Sequence, residues 1–195
     1  LSERNEKYIV FIADFYPYHP EIVLDNNVNK DDVAKLYYKS MNIFFDRLEE
    51  AYDCKVIIAE HPSAKWNTNP FNNREIVYYK TAELVRDCYA VCMHYSCAFS
   101  YVALFNKPVA IITNNALQYS CAMRTYIPKI AESIGCEQLN IDCITDNSDV
   151  FNYISSDIRK QYIQTFADAD NNLTNEELFR KHYVSIFNEI YNLKK

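Results

Sequence analysis

Apolar residues along this chain fall into short solid runs separated by longer stretches with helical spacing. Tyr8 to Phe15 (YIVFIADF), Cys54 to Ala59 (CKVIIA), Ala90 to Met93 (AVCM) and Pro108 to Thr113 (PVAIIT) are the solid runs. A strand buried on both faces has this pattern, as strands of a parallel sheet do. Glu75 to Tyr79 predicts a short further strand, and Leu139 to Ile144 a last one at an edge. Between the first two runs, Val33, Leu36, Tyr37, Met41, Phe44, Phe45 and Leu48 recur at helical spacing. They predict a helix capped by Asp31 or Asp32 and running to about Tyr52. Thr81 predicts the cap of a second helix over residues 82–87. A third helix spans Cys97 to Phe105, with Ala98, Val102 and Phe105 on its inner stripe. It ends at Asn106-Lys107-Pro108, because the residue before proline is pushed out of the helical region. A fourth begins near Ala116, is bent or ended before Pro128 and resumes to Ser133, with Gly135 just past its end. Residues 149–195 read as helical, with a polar break over residues 168–174.

Strand and helix alternate, which predicts an α/β fold: a three-layer, Rossmann-like parallel sheet flanked by helices, with a helical extension over residues 150–195. No repeat or interdomain linker is visible, so residues 1–195 are read as one domain. The chain begins at Leu1 and is read as a piece of a longer protein.

Composition then narrows the function. Of 195 residues 49% are hydrophobic, which excludes disorder, and the net charge of −6 argues against a nucleic-acid surface. Apolar runs are too short to span a bilayer and no signal peptide is visible. The seven cysteines contain no C-x-x-C pair and are read as reduced, buried thiols of a cytoplasmic protein, without a metal. Glycine decides most. There is one, Gly135, so a P-loop and a G-x-G-x-x-G turn are both excluded. A phosphate must be held by side chains and helix N-termini.

In a parallel sheet every strand exit faces one edge, and ligands bind there near the point where strand order reverses. Four polar clusters sit on predicted exits: Asp14 to His19, Glu60 to Ser63, His94 to Ser100, and Thr113-Asn114. His61, aimed by Pro62 and followed by Ser63, can offer a ring N–H to a phosphate, or can merely cap the strand end. Ser96, with Tyr95 and Cys97 beside it, can hold a phosphate or cap the helix. Ser100 lies one turn on. His94 reads as a satisfied core histidine. Asp14 is a general base or a loop cap. Tyr16, Tyr18 and His19 offer rings to a base or sugar. Asp168 to Asn172 starts like a calcium loop but has Leu173 where glycine is needed and Phe179 where glutamate is needed, so a calcium site is excluded.

The runs VIIAEHPS, TAEL and HYSCAFSYVALFNKPVAIIT resemble the donor-binding half of GT-B glycosyltransferases of bacterial surface polysaccharide synthesis. The HP-motif transferases of capsule and lipopolysaccharide, sialyl and Kdo transferases among them, are the nearest in pattern. The resemblance covers roughly residues 8–115. It implies a nucleotide sugar as donor substrate, CMP-linked if the sialyl and Kdo enzymes are the nearest, and no further cofactor. His61 would then contact the donor phosphate and assist the leaving group, with Asp14 as a second catalytic group. Ser96 and Ser100 would hold the phosphate, with His19, Pro62, Ser63, Thr81, Tyr95 and Cys97 completing the binding surface. The acceptor, a glycan or lipid-linked, would be bound by an N-terminal domain outside this chain, in the cytoplasm or at the inner face of the membrane. A sugar-nucleotide 2-epimerase and a non-catalytic Rossmann-like interaction domain are the alternatives. The first needs several carboxylates round the sugar, and only Asp14 and Glu60 stand on predicted exits.

Overall fold

The structure, a computed structural model, describes residues 6–144 and 149–164. Six strands form one parallel sheet: β1 (Tyr8–Ile12), β2 (Lys55–Glu60), β3 (Ile76–Tyr78), β4 (Ala90–Met93), β5 (Val109–Thr113) and β6 (Gln138–Asn140). Their order is β3-β2-β1-β4-β5-β6 and every adjacent pair is parallel. All residues of β1, β4 and β5 are buried, as is every residue of β2 after Lys55. The solid apolar runs are solid because helices cover both faces of the sheet.

The chain leaves the central strand β1 for β2 and β3, then returns past β1 to β4 and continues outward. This reversal is what makes the sheet doubly wound. With right-handed crossovers, the helix after β1 lies on one face and those after β4 and β5 on the other. The helix after β1 is α1 (Lys30–Tyr52), which carries Val33, Tyr37, Met41, Phe44, Phe45 and Leu48 inward. Its cap is Asn29, whose side chain accepts the Asp31 and Asp32 N–H groups at 2.8 and 3.2 Å. The two aspartates occupy the first turn, where they suit the dipole. Leu36, expected inside, is 54% exposed, because it lies some sixty degrees round from Val33, on the outer border of the stripe.

α2 (Thr81–Asp87) starts at Thr81 itself, with Lys80 as an N-cap that makes no side-chain bond. α3 (Phe99–Phe105) is two residues shorter than expected and packs against α2. Residues 115–119 form a 3-10 turn, capped by Asn114, and α4 (Cys121–Ser133) follows. α4 runs through Pro128, held on β5 and β6, with Met123, Ile127 and Ala131 on its buried side. It ends at Gly135, φ +66°: the Gly135 N–H donates to Glu132 and the Cys136 N–H to Ala131, the paired bonds of a Schellman motif. The edge strand is three residues long, not six. The tail contributes α5 (Ser156–Tyr162), which lies along α3 with the Arg159 guanidinium donating to the Ala103 and Leu104 carbonyls. The rest of the expected helical tail, the calcium-like run at 168–179 included, lies outside the described residues.

All seven cysteines are free, but only Cys88 and Cys92 are buried; Cys97, Cys121 and Cys143 are exposed. The expectation of buried thiols therefore holds only for those in or beside β4. Among the described residues no helix is long and apolar enough to cross a membrane.

Candidate functional site

The exit of β1 sits between those of β2 and β4, so three loops share one rim. The β1 loop is built to be stiff. Tyr18 and His19 N–H groups donate to the Phe15 carbonyl, and Ile22 N–H to that of His19. The Tyr16 hydroxyl reaches the Ala116 carbonyl at 2.8 Å, and the Tyr38 hydroxyl the Tyr16 carbonyl at 2.6 Å. Phe15, Tyr18, Tyr38 and Phe71 close round Trp66, so the rings expected to be open to a ligand largely pack on one another.

On the β2 exit, Glu60 is 2% exposed. Its carboxylate accepts the His61 N–H at 2.8 Å and the Trp66 indole N–H at 2.9 Å. His61 is half-buried, and its Nδ1 accepts the Ser63 N–H at 3.2 Å. Nδ1 is therefore the acceptor, and the neutral ring carries its proton on Nε2. Burial, and then the neighbouring His19, push the His61 imidazole below its ordinary value. Pro62 and Ser63 are exposed on the rim.

Asp14 follows β1 directly. Its carboxyl accepts the Tyr95 backbone N–H, while Oδ2 is buried and has no partner. Burial, and then the charge of Glu60, raise its pKa well above the carboxylate range. Burial raises the Glu60 carboxyl too, but its two donors hold it down, so Asp14 is the more strongly raised of the two.

At the β4 exit, His94 is the core histidine expected. It is fully buried, its Nδ1 bonded to the Ile112 carbonyl at 2.7 Å and its Nε2 to the Tyr37 hydroxyl at 2.8 Å. Burial pushes it down to about 4, so it stays neutral. Ser96 Oγ accepts the Ala98 N–H at 3.2 Å, and its own proton remains to be donated. α3 has only seven residues, so its dipole adds less than a long helix would.

The expected site residues fall into three groups. Tyr95 and Ser96 line a cavity of about 620 Å³ between α3, α4 and α5, whose walls include Phe99, Tyr126, Lys129 and Tyr162. The Tyr95 and Tyr126 rings stack at 5.5 Å. Thr81, Cys97 and Ser100 line a second hollow of about 420 Å³ between α2 and α3. Ser100 lines this second hollow, while its hydroxyl bonds that of Tyr162, a wall of the first, at 3.0 Å. Asp14, His19, His61, Pro62 and Ser63 line neither. With β1 between them, the β2 and β4 exits are two strand spacings apart, about 10 Å. His61 and Ser96 thus share a rim without sharing a hollow. Tyr126, Lys129 and Glu21 were not singled out from sequence. Tyr126 and Lys129 are one helical turn apart, but only the packing of α4 shows that their side faces Ser96. Among the described residues no three His, Cys, Asp or Glu side chains gather as a metal site would require.

The sequence matches no protein-family model and no curated protein. Two solved structures are similar in fold. One is the glycosyltransferase SnogD from Streptomyces nogalater, at 10% identity and a TM-score of 0.45, covering 93% of this chain and 44% of that one. The other is the UDP-GlcNAc 2-epimerase of Methanocaldococcus jannaschii in complex with UDP-GlcNAc and UDP, at 12% identity and a TM-score of 0.39, covering 84% and 45%. The chain thus spans less than half the length of either. Identities this low speak to fold alone, and TM-scores below one half leave even that to rest on the strand order described above.

Proposed function

We propose that this chain is the nucleotide-sugar donor-binding half of a glycosyltransferase. The observation that carries the reading is the rim at the strand-order reversal. There the loops of β2 and β4 bring His61 and Ser96 to one rim, on either side of the buried Asp14 carboxyl, with Ser96 opening on an aromatic-walled cavity of about 620 Å³. Open α/β sheets bind ligands at this place. The cavity falls in the size range of small-molecule pockets, about 300–1,000 Å³. Its Tyr95–Tyr126 stack offers a flat face to a nucleobase, with the Lys129 ammonium and the Ser96 hydroxyl available to a phosphate. The rest of the donor then extends along the rim toward His61. Donor charge developing on the departing phosphate would be met by N–H and O–H donors in place of a glycine loop or a metal. The finer form of the proposal follows the sequence resemblance: transfer in bacterial surface polysaccharide synthesis, with the acceptor held by a domain outside this chain.

Calorimetry with UDP, GDP and CMP tests it. At least one nucleotide is expected to bind at micromolar to millimolar concentration. His61→Ala is expected to weaken that nucleotide about tenfold, the loss of one good hydrogen bond to a charged group. No binding of any of the three at millimolar concentration would overturn the reading.

A further inference from the structure

Two histidine-proline turns stand next to each other on this rim, and their geometry is the same. In His19-Pro20-Glu21 the Glu21 N–H donates to His19 Nδ1 at 3.2 Å; in His61-Pro62-Ser63 the Ser63 N–H donates to His61 Nδ1 at 3.2 Å. One turn follows β1 and the other β2, which are neighbouring strands. The two rings meet edge to face, with centroids 4.6 Å apart and planes at 88°. Each turn uses its ring's Nδ1 as an acceptor, so each neutral ring carries its proton on Nε2, pointing away from its own backbone. Both rings are only half-buried. Two N–H donors of fixed tautomer, on adjacent loops, are what an oxyanion needs from a site without glycine.

The titratable groups round the pair are Glu21, Glu60, Asp14 and, farther along, the neutral Tyr95. Glu60 is turned to Trp66 and the His61 N–H, and burial holds Asp14 toward its protonated form. Glu21 alone leaves an exposed carboxylate beside the rings. The second phosphate station, Ser96 with Lys129, belongs to the loop after β4 and to α4, and the exits of β2 and β4 are two strand spacings apart, about 10 Å. Hydrogen bonds of about 3 Å from both stations cannot meet on one phosphorus across that gap. Two linked phosphoryl groups can bridge it.

Resting on the function proposed above, we infer that His19 and His61 form a two-imidazole clamp for the terminal phosphoryl of a nucleoside diphosphate. The donor class is then a nucleoside-diphosphate sugar, not a CMP-sugar, and His19 binds ligand on equal terms with His61.

The chain has four histidines, so long-range proton–nitrogen spectra of its imidazoles are simple to assign. His19 and His61 are expected as Nε2–H tautomers in the free protein. UDP or GDP is expected to shift both rings and to bind at least tenfold tighter than UMP, GMP or CMP. His19→Gln and His61→Gln are each expected to abolish that preference, with Trp66 fluorescence unchanged, which shows that the loops still fold. Equal affinity for mono- and diphosphates, or a His19 ring unmoved while His61 shifts, overturns the clamp and leaves the proposed function standing. Nucleotide binding that shifts neither ring likewise overturns the clamp alone; if none of these nucleotides binds, both fall.

Discussion

Asp14 carries the sharpest conflict at the scale of a residue. Its carboxyl ends the central strand, accepts one backbone N–H and leaves Oδ2 buried without a partner. An ionised carboxylate there would lack a donor, so folding favours the protonated form. The folded protein therefore holds a proton that the unfolded chain releases near the ordinary value of 3.8. Stability is full below that value and falls as pH rises through the raised one. Asp14→Asn is expected to remove this fall. Urea unfolding at pH 5 and pH 8 should show a wild type weaker at pH 8 and a smaller drop in the variant, the remainder belonging to Glu60, which burial also raises. Equal slopes in both proteins would mean that Asp14 titrates normally. His94 shows the opposite case: its two buried partners were foreseeable in kind, since it directly follows a solid apolar run, but Tyr37 as one of them was not.

At the scale of an element, local chemistry fixed the ends of helices better than their starts. Gly135 reads as a helix terminator in sequence, and the Schellman bonds after α4 bear that out. An added Cβ would meet Ile158 Cδ1 at 3.0 Å, on a backbone already in the left-handed region. Gly135→Ala is expected to lower stability by about 1–2 kcal/mol, the cost of a side chain at positive φ, read as a lower thermal midpoint. The start of α1 was misplaced by two or three residues because Asn29, Asp31 and Asp32 are all competent caps. Which one serves depends on where the loop from Ile22 delivers the chain. Pro128 was read as bending or ending the helix; α4 does not end there, because the buried Met123, Ile127 and Ala131 hold both halves on the same strands.

For the molecule as a whole, strand order decides what the rim can do. Winding outward in both directions from β1 puts Asp14 between His61 and Ser96, and puts α4 beside the Ser96 loop. Lys129 thereby becomes the cation nearest the proposed phosphate at Ser96 in that cavity. Lys129→Glu is expected to weaken nucleotide binding about tenfold or more at low salt, with the difference shrinking as salt rises, because an exposed charge is screened. A salt-independent or absent effect in a titration series would remove Lys129 from the site.

By itself the sequence determined the fold class and the chemistry available. Solid apolar runs separated by helical stripes require a sheet covered on both faces, and a single glycine forbids any phosphate loop made of backbone. It also named the strand exits that carry polar groups, since polar residues directly after a buried run have nowhere to go but the edge. Only the tertiary structure decided which of those groups meet. His19 touches His61, Ser100 turns to Tyr162, and Tyr126 and Lys129 join Ser96. The reason is physical: periodicity is a property of one element and is written along the chain. Neighbourhood across elements follows from strand order and from the volume of the side chains between them, and no local stretch records either.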